Sequence, residues 1–327
     1  MRAGWYEKYG PAREVIQVGE LETPQAGPGE VRVRLRASGV NPSDVKSRAG
    51  SRGPWRWERI IPHSDGAGEI DQVGPGVPAS RVGERVWVFN GQWQRTHGTA
   101  AQYIALPALY AVPLPAGVSF EEGACLGIPA MTAHRALFTD GPIRGKTVLV
   151  TGGAGAVGFY AVQLARWGGA RVIATVSGEQ KAARAREAGA DEIVNYRSED
   201  VAQRVRALTG GEGVDHVVDV DFGENLPITS QVVKENGVAA AYASMRVREP
   251  VLPWYAFMQK GVLIRPVFVY TIPDEAKRAA CRDINRAIEE GKIRHAVAQR
   301  YPLADLASAH EAQESGEVVG NIVVEVG

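Results

Sequence analysis

Cysteine is scarce: Cys125 and Cys281 are the only two in 327 residues, and no CxxC pair occurs. That excludes a disulfide framework and a four-cysteine zinc lobe. Both thiols read as small buried hydrophobes. An excess of one charge is also missing. Lysine plus arginine number 37 and aspartate plus glutamate 37, so there is no basic field to attract nucleic acid. Long apolar runs are absent too. Residues 147–151 and 172–176 have strand length, well short of the ~20 residues of a membrane-spanning helix. The stretch Met1-Arg2-Ala3-Gly4-Trp5-Tyr6-Glu7 carries no apolar core of signal-peptide length, so a cytoplasmic location is expected. With 45% hydrophobic and 23% charged residues the chain reads as globular, and its length suggests two domains at roughly 150 residues each.

Two textures follow one another. Up to about residue 120 the chain is rich in proline, glycine and β-branched residues, with turn signals at Gly27-Pro28-Gly29, Asn41-Pro42 and Gly74-Pro75-Gly76. Residues 31–36 alternate apolar and basic, as a half-buried strand does. From about Gly145 strands and helices alternate. Strands are expected at 147–151, 171–176, 192–196, 214–220 and 238–243, with helices at 157–167, 181–188, 198–208 and 226–234. Such alternation implies a parallel, doubly wound sheet. Further helices are expected at 274–290 and 303–313, and a last strand at 321–326.

The strongest local signal is Thr151-Gly152-Gly153-Ala154-Gly155-Ala156-Val157-Gly158. Gly153, Gly155 and Gly158 match GxGxxG directly after the first buried strand and at the mouth of a helix. Glycines there permit a tight turn and let a pyrophosphate approach the backbone, while the helix N-terminus stabilises its charge. An NAD site usually places an acid at the tip of the second strand. Here that strand ends Thr175-Val176-Ser177-Gly178, Lys181 follows within a turn, and Tyr196 ends the next strand. A hydroxyl, a lysine and a phenol suit a 2′-phosphate, so NADPH is expected, with Glu179 as the one residue of the wrong sign.

The order of motifs resembles the zinc-free medium-chain dehydrogenase/reductases, closest to the NADPH:quinone oxidoreductases of the ζ-crystallin type. The matching stretches are Gly39-Val40-Asn41-Pro42-Ser43-Asp44, residues 68–70 through 83–86, Gly127-Ile128-Pro129-Ala130-Met131-Thr132-Ala133, the glycine loop, and Ala188-Gly189-Ala190. Together they cover nearly the whole chain. The resemblance implies a mostly β, GroES-like catalytic domain split in sequence around a Rossmann domain, with boundaries at 1–122, 123–268 and 269–327. It further implies that Asn41 and Thr132 lie at the reacting centre. Ala154, Gly155, Ala156 and Val157 would hold the pyrophosphate. Ser177, Lys181 and Tyr196 would surround the adenosine phosphate, with Asn225 and Ser244 flanking the cofactor. Pro266, Val267 and Phe268 would meet the nicotinamide through their backbone.

Relatives with catalytic zinc place two cysteines and a histidine around the metal. The corresponding positions here read Asn41, Ser64 and Ile128, so no zinc site is expected, and His63 reads as a structural or pocket-rim residue. Many relatives carry tyrosine where Lys46 and Ala100 stand. Lys46, His63, Trp93 and Tyr103 are the expected substrate pocket. Trp55, Trp57, Trp87, Phe89, Trp254, Tyr255 and Phe257 are further candidates for aromatic walls. Gly145-Lys146-Thr147 is not a P-loop end, because Asp140 takes the first glycine position and the segment enters a strand. Ser64 lacks the glycine a nucleophile elbow needs, since Pro62 stands there.

The expected activity is hydride transfer from NADPH to a quinone. The alternatives are reduction of an α,β-unsaturated ketone or aldehyde, with Tyr103 or a water as proton donor, and a non-catalytic NADPH-binding role. Neither a nucleic acid nor a membrane is expected as partner. Residues 262–269 could pair edge to edge across a twofold axis, and the resemblance implies a homodimer or homotetramer.

Overall fold

The computed structural model describes residues 1–51 and 53–327. They divide into two compact units, Met1–Ile128 with His295–Gly327, and Pro129–Arg294.

The first unit is mostly β. A hairpin joins β1 (Arg2–Trp5) and β2 (Gln17–Glu20). A seven-stranded sheet contains β3 (Glu30–Val40), β4 (Asp65–Val73), β5 (Arg85–Val88), β6 (Tyr103–Pro107), β7 (Ala111–Pro113), β14 (Val297–Pro302) and β15 (Asn321–Glu325). Its order is β14-β15-β3-β4-β5-β7, with β6 also on β3. The alternation expected for β3 holds, with Val31, Val33 and Leu35 fully buried in the core. On the other face Arg32 pairs with Asp71 at 2.9 Å and Arg34 with Glu69 at 2.7 Å. β3 continues to Val40 and delivers Asn41 to the start of the helix Pro42–Arg48.

The second unit is a six-stranded sheet of β8 (Thr147–Val150), β9 (Arg171–Val176), β10 (Glu192–Asn195), β11 (Val214–Asp219), β12 (Val233–Ala241) and β13 (Leu263–Pro266). The order is β10-β9-β8-β11-β12-β13, and every pairing is parallel. The chain winds outward from β8 through β9 and β10, then crosses to β11 and winds the other way. A switch in strand order therefore falls beside β8, and this is where open parallel sheets bind dinucleotides.

Two expectations need adjustment. The helix expected at 226–234 runs over Phe222–Val232 with Pro227 inside it, and Val233 already belongs to β12. Tertiary contacts pin the earlier start: Phe222 N–H donates to Ala243 C=O, and the Asp221 carboxylate accepts from Met245 N–H. The stretch 269–294 also groups with the second unit, so the chain returns to the first unit at His295 instead of 269. The helix Asp274–Glu289 is the reason. It buries Ala280, Ile284 and Ala287, and Asp283 holds His134 at 3.0 Å. Nearby, Gln163 and Arg294 exchange two hydrogen bonds.

Candidate functional site

Each unit gathers its own set of expected residues. In the second unit the set lies along the carboxyl ends of the parallel strands. The glycine loop follows β8. Gly153 N–H donates to Thr175 C=O at 3.0 Å and Gly152 N–H to Thr175 Oγ1 at 3.1 Å, so the loop is tied to the end of β9. Gly155 then caps the helix Ala156–Trp167. The three glycines differ in what requires them. A β-carbon on Gly153 would lie 2.7 Å from Ala174 Cβ, and one on Gly158 would lie 2.2 Å from Gly152 O. Packing alone demands those two. A β-carbon on Gly155 meets only Gly152 O at 3.4 Å, and its φ of −71° suits any residue. The fold has no use for glycine at 155. Its bare face, at a helix N-terminus with unbonded N–H groups, leaves room for an anion to reach the backbone.

Across the switch from this loop lies Asp219, at the end of β11. Its Oδ1 accepts from Thr151 Oγ1 (2.9 Å), Asn225 Nδ2 (2.7 Å) and Asp221 N–H (3.0 Å). Burial raises its pKa, and Oδ2 has no partner among the described residues. Asn225 thus spends a donor on Asp219, a buried anchor that composition and motif did not reveal.

Ser177 and Tyr196 follow the neighbouring strands β9 and β10, and Tyr196 N–H donates to Val176 C=O at 3.0 Å. Lys181 lies half-buried in the first turn of the helix Glu179–Glu187, and it has no ion-pair partner among the described residues. Glu179 is held instead by Arg186 at 2.6 Å. The one acid that argued against a 2′-phosphate is thereby offset in part by an exposed arginine of its own helix. Further along the same edge, Ser244 Oγ donates to Val247 C=O at 2.5 Å and accepts from Gly223 N–H. Pro266 ends β13, Val267 N–H donates to Ala241 C=O, and Phe268 is exposed. Thr132 is a buried hydroxyl on the helix Gly127–Phe138.

In the first unit the centre is Asn41. It is buried, and its backbone N–H donates to Asp44 Oδ2 at 2.8 Å in a capping box. Its side-chain Nδ2 donates to Asp65 Oδ2 at 2.8 Å, and the same oxygen accepts from Ile128 N–H at 2.8 Å. Asn41, Asp65 and Ile128 therefore adjoin, and Ser64 precedes Asp65 in sequence. The side chains at the three expected ligand positions are an amide, a hydroxyl and a hydrocarbon, and the one carboxylate beside them, Asp65, already accepts from Asn41 and Ile128. This set does not fit a zinc ion.

Lys46 lies half-buried in the last turn of the helix that Asn41 opens, and Trp93 half-buried in the loop after Asn90. Two pocket expectations are corrected. His63 has the structural role and not the rim position: it is fully buried with φ +75° and stacks on His310. Tyr103 opens β6 opposite Arg34, and its ring lies under the Arg32 guanidinium at 5.4 Å. At about 3.3 Å per residue along β3 it stands roughly 20 Å from Asn41. Trp87, Phe89 and Phe257 are also core side chains and form no walls, while Trp55 packs on Tyr6 and Tyr9. Trp57, Trp254 and Tyr255 are exposed.

His63 heads a buried chain whose proton order can be worked out. Thr99 Oγ1 donates to Asp65 C=O at 2.6 Å, so it must accept from Ser38 Oγ at 2.7 Å. Ser38 Oγ then accepts from His63 Nδ1–H at 2.8 Å, which leaves His63 Nε2 to accept from His310 Nε2–H at 2.9 Å. Both rings are neutral. Burial lowers the His63 pKa to about 3 and places that of His310 well below its usual value.

Comparisons with known proteins agree with this architecture. Residues 27–116 match the alcohol dehydrogenase GroES-like domain and residues 156–285 the zinc-binding dehydrogenase model. A 2-haloacrylate reductase of Burkholderia sp is 31% identical, covering 99% of this chain and 98% of that protein. A quinone oxidoreductase of Pseudomonas aeruginosa is 32% identical over 95% of each. Among solved structures, an NAD-dependent alcohol dehydrogenase superposes with a TM-score of 0.91 at 32% identity, covering 100% of both chains. Escherichia coli quinone oxidoreductase complexed with NADPH superposes with a TM-score of 0.86 at 27% identity, covering 99% of this chain and 100% of that one. With this length of match, this two-unit fold and ligand positions that cannot hold zinc, the chain belongs to the zinc-free quinone oxidoreductase family of medium-chain dehydrogenase/reductases.

Proposed function

We propose that this protein binds NADPH and transfers its hydride to a quinone without a metal. The observation that carries the cofactor reading is the pair Lys181 and Glu179. Among the described residues the cation has no ion-pair partner, and the acid pairs with Arg186 at the surface. The NADPH-complexed E. coli structure supports it; the NAD-dependent alcohol dehydrogenase similarity is the competing precedent. The quinone reading rests on the relatives named quinone oxidoreductase.

In this reading Ala154 to Val157 hold the pyrophosphate on backbone N–H groups, with Gly155 giving it room. Ser177, Lys181 and Tyr196 take the 2′-phosphate, Lys181 by charge. Asn225, Ser244 and the backbone of Pro266, Val267 and Phe268 flank the nicotinamide half. Asn41 and Thr132 orient the reacting partners, with Lys46 and Trp93 towards the substrate. Bound NADPH supplies the hydride. A quinone needs little else from the protein, because the reduced oxygens take protons from water. A second reading is reduction of an activated alkene, favoured by the similarity to 2-haloacrylate reductase. Its proton would come from water, since Tyr103 is held far from Asn41. The proposal includes a cytoplasmic homodimer or homotetramer. β13 is the sheet's edge strand, and Leu263, Trp254, Tyr255 and Met258 are exposed beside it in sequence. No described helix is long and apolar enough to cross a membrane.

Steady-state turnover with NADPH and NADH over a panel of p-quinones and enones tests the proposal. Preference for NADPH and p-quinones is expected. Preference for NADH, or turnover of enones alone, would replace it.

A further inference from the structure

The Asp65 carboxyl group has no direct part in hydride transfer, yet it is among the most constrained side chains in the first unit. It is fully buried, and its Oδ2 accepts from both Asn41 Nδ2 and Ile128 N–H. A β-carbon on Gly127 would lie 2.1 Å from Asp65 Oδ1, so the carboxyl fills the space that glycine leaves. Its backbone is fixed too, because the chain His310–His63–Ser38–Thr99 ends on Asp65 C=O.

We propose that Asp65 is the positioning residue for Asn41, setting which end of the Asn41 amide faces the reacting partners. An amide can turn over, exchanging its oxygen and nitrogen at little steric cost. Here it cannot. Oδ2 of Asp65 is an acceptor whatever the charge of the carboxyl group, because Ile128 N–H already points at it and any proton would sit on Oδ1. Only the nitrogen end of Asn41 satisfies such an oxygen. The Asn41 carbonyl oxygen is thus presented, as an acceptor, to a hydroxyl donor. That donor is a ribose hydroxyl of the dinucleotide or the hydroxyl of the quinol formed. The inference rests on the reading that Asn41 touches those partners.

The test combines Asp65→Asn and Asp65→Leu with Asn41→Ala, measuring kcat, quinone KM, NADPH Kd and melting temperature for each. Asp65→Asn keeps an acceptor oxygen and should stay within about threefold of the parent. Asp65→Leu removes it and should lower kcat or NADPH affinity about 10- to 100-fold, as a misplaced group does. In the Asn41→Ala background the same change should cost less than about twofold, because coupled residues are not additive. A loss confined to NADPH Kd identifies the ribose hydroxyl; a loss confined to kcat identifies the quinol. Equal losses in both backgrounds, or an Asp65→Asn variant as damaged as Asp65→Leu, overturn the proposal. Should Asp65→Leu fail to fold, amide exchange of the Asn41 side chain in the wild type decides. One Nδ2 proton should be protected about 100-fold over the other, and equal exchange refutes the contact. A wild type that reduces no quinone would sink the functional reading alone, since the exchange measurement does not depend on turnover.

Discussion

Replacing Gly155 with valine should leave a folded protein that no longer binds NADPH. A side chain at this position meets only Gly152 O, at 3.4 Å, and the backbone already has φ −71°. Loss of glycine flexibility in the unfolded chain favours the variant, while a poorer helix cap opposes it. The net change without ligand should stay within about 1 kcal/mol. Gly158→Ala serves as the contrast, because its β-carbon would sit 2.2 Å from Gly152 O. That clash should cost about 1–3 kcal/mol or more. For the wild type, NADPH at 100 times its Kd adds about 2.7 kcal/mol. For a domain the size of the second unit this is a rise in Tm of roughly 5–10 °C. If Gly155→Val weakens binding about 100-fold, the same NADPH concentration adds only about 0.4 kcal/mol, a degree or two. Thermal unfolding with and without NADPH reads both quantities. A Gly155→Val protein showing the full wild-type rise would refute the placement of the pyrophosphate.

Lys181→Glu should weaken NADPH by about 1–3 kcal/mol and leave NADH nearly unchanged, since it sets repulsion against the 2′-phosphate alone; parallel titrations check it, and equal losses would dismiss Lys181. Tyr103→Phe should leave both quinone and enone turnover within about twofold in steady-state assays, because the ring is held by Arg32 and not by the reacting centre. Stability should fall as pH drops below about 6.5, because His63, with a native pKa of about 3, and His310 stay neutral in the native state and charge in the unfolded one. The slope should approach about 1.4 kcal/mol per pH unit for each ring. Asp65, whose pKa burial raises, acts oppositely above its own usual range. Urea midpoints at pH 7 and pH 5 should differ in this sense. A His63→Asn, His310→Gln variant should reduce the difference and leave the share of His216, whose pKa burial lowers to about 4, and of His97 and His295; asparagine tolerates positive φ at 63.

The parallel sheet was legible because buried strands leave continuous apolar runs and the helices between them repeat at 3.6 residues. The glycine loop was legible because its chemistry is local: strand, three glycines and helix adjoin in sequence. The buried assemblies were not. His63 resembles a pocket residue until Ser38, Thr99 and His310, separated from it by 25, 36 and 247 positions, are brought around it. Asp65 could have been singled out from Pro62-His63-Ser64-Asp65, where an acid survives beside a lost ligand position. What it holds depends on Asn41 and Ile128, which adjoin it only in space. Tyr103 misled because nearness in sequence to Gly98–Ala100 says nothing of which end of β3 its own strand joins.

The most direct test of the metal-free claim is p-quinone turnover with NADPH on exhaustively chelated protein, with zinc measured in the same sample. Full activity with zinc far below one atom per chain is the expected result, because Asn41, Ser64 and Ile128 offer no ligand set. Activity that disappears with the chelated metal and returns with added zinc would contradict it.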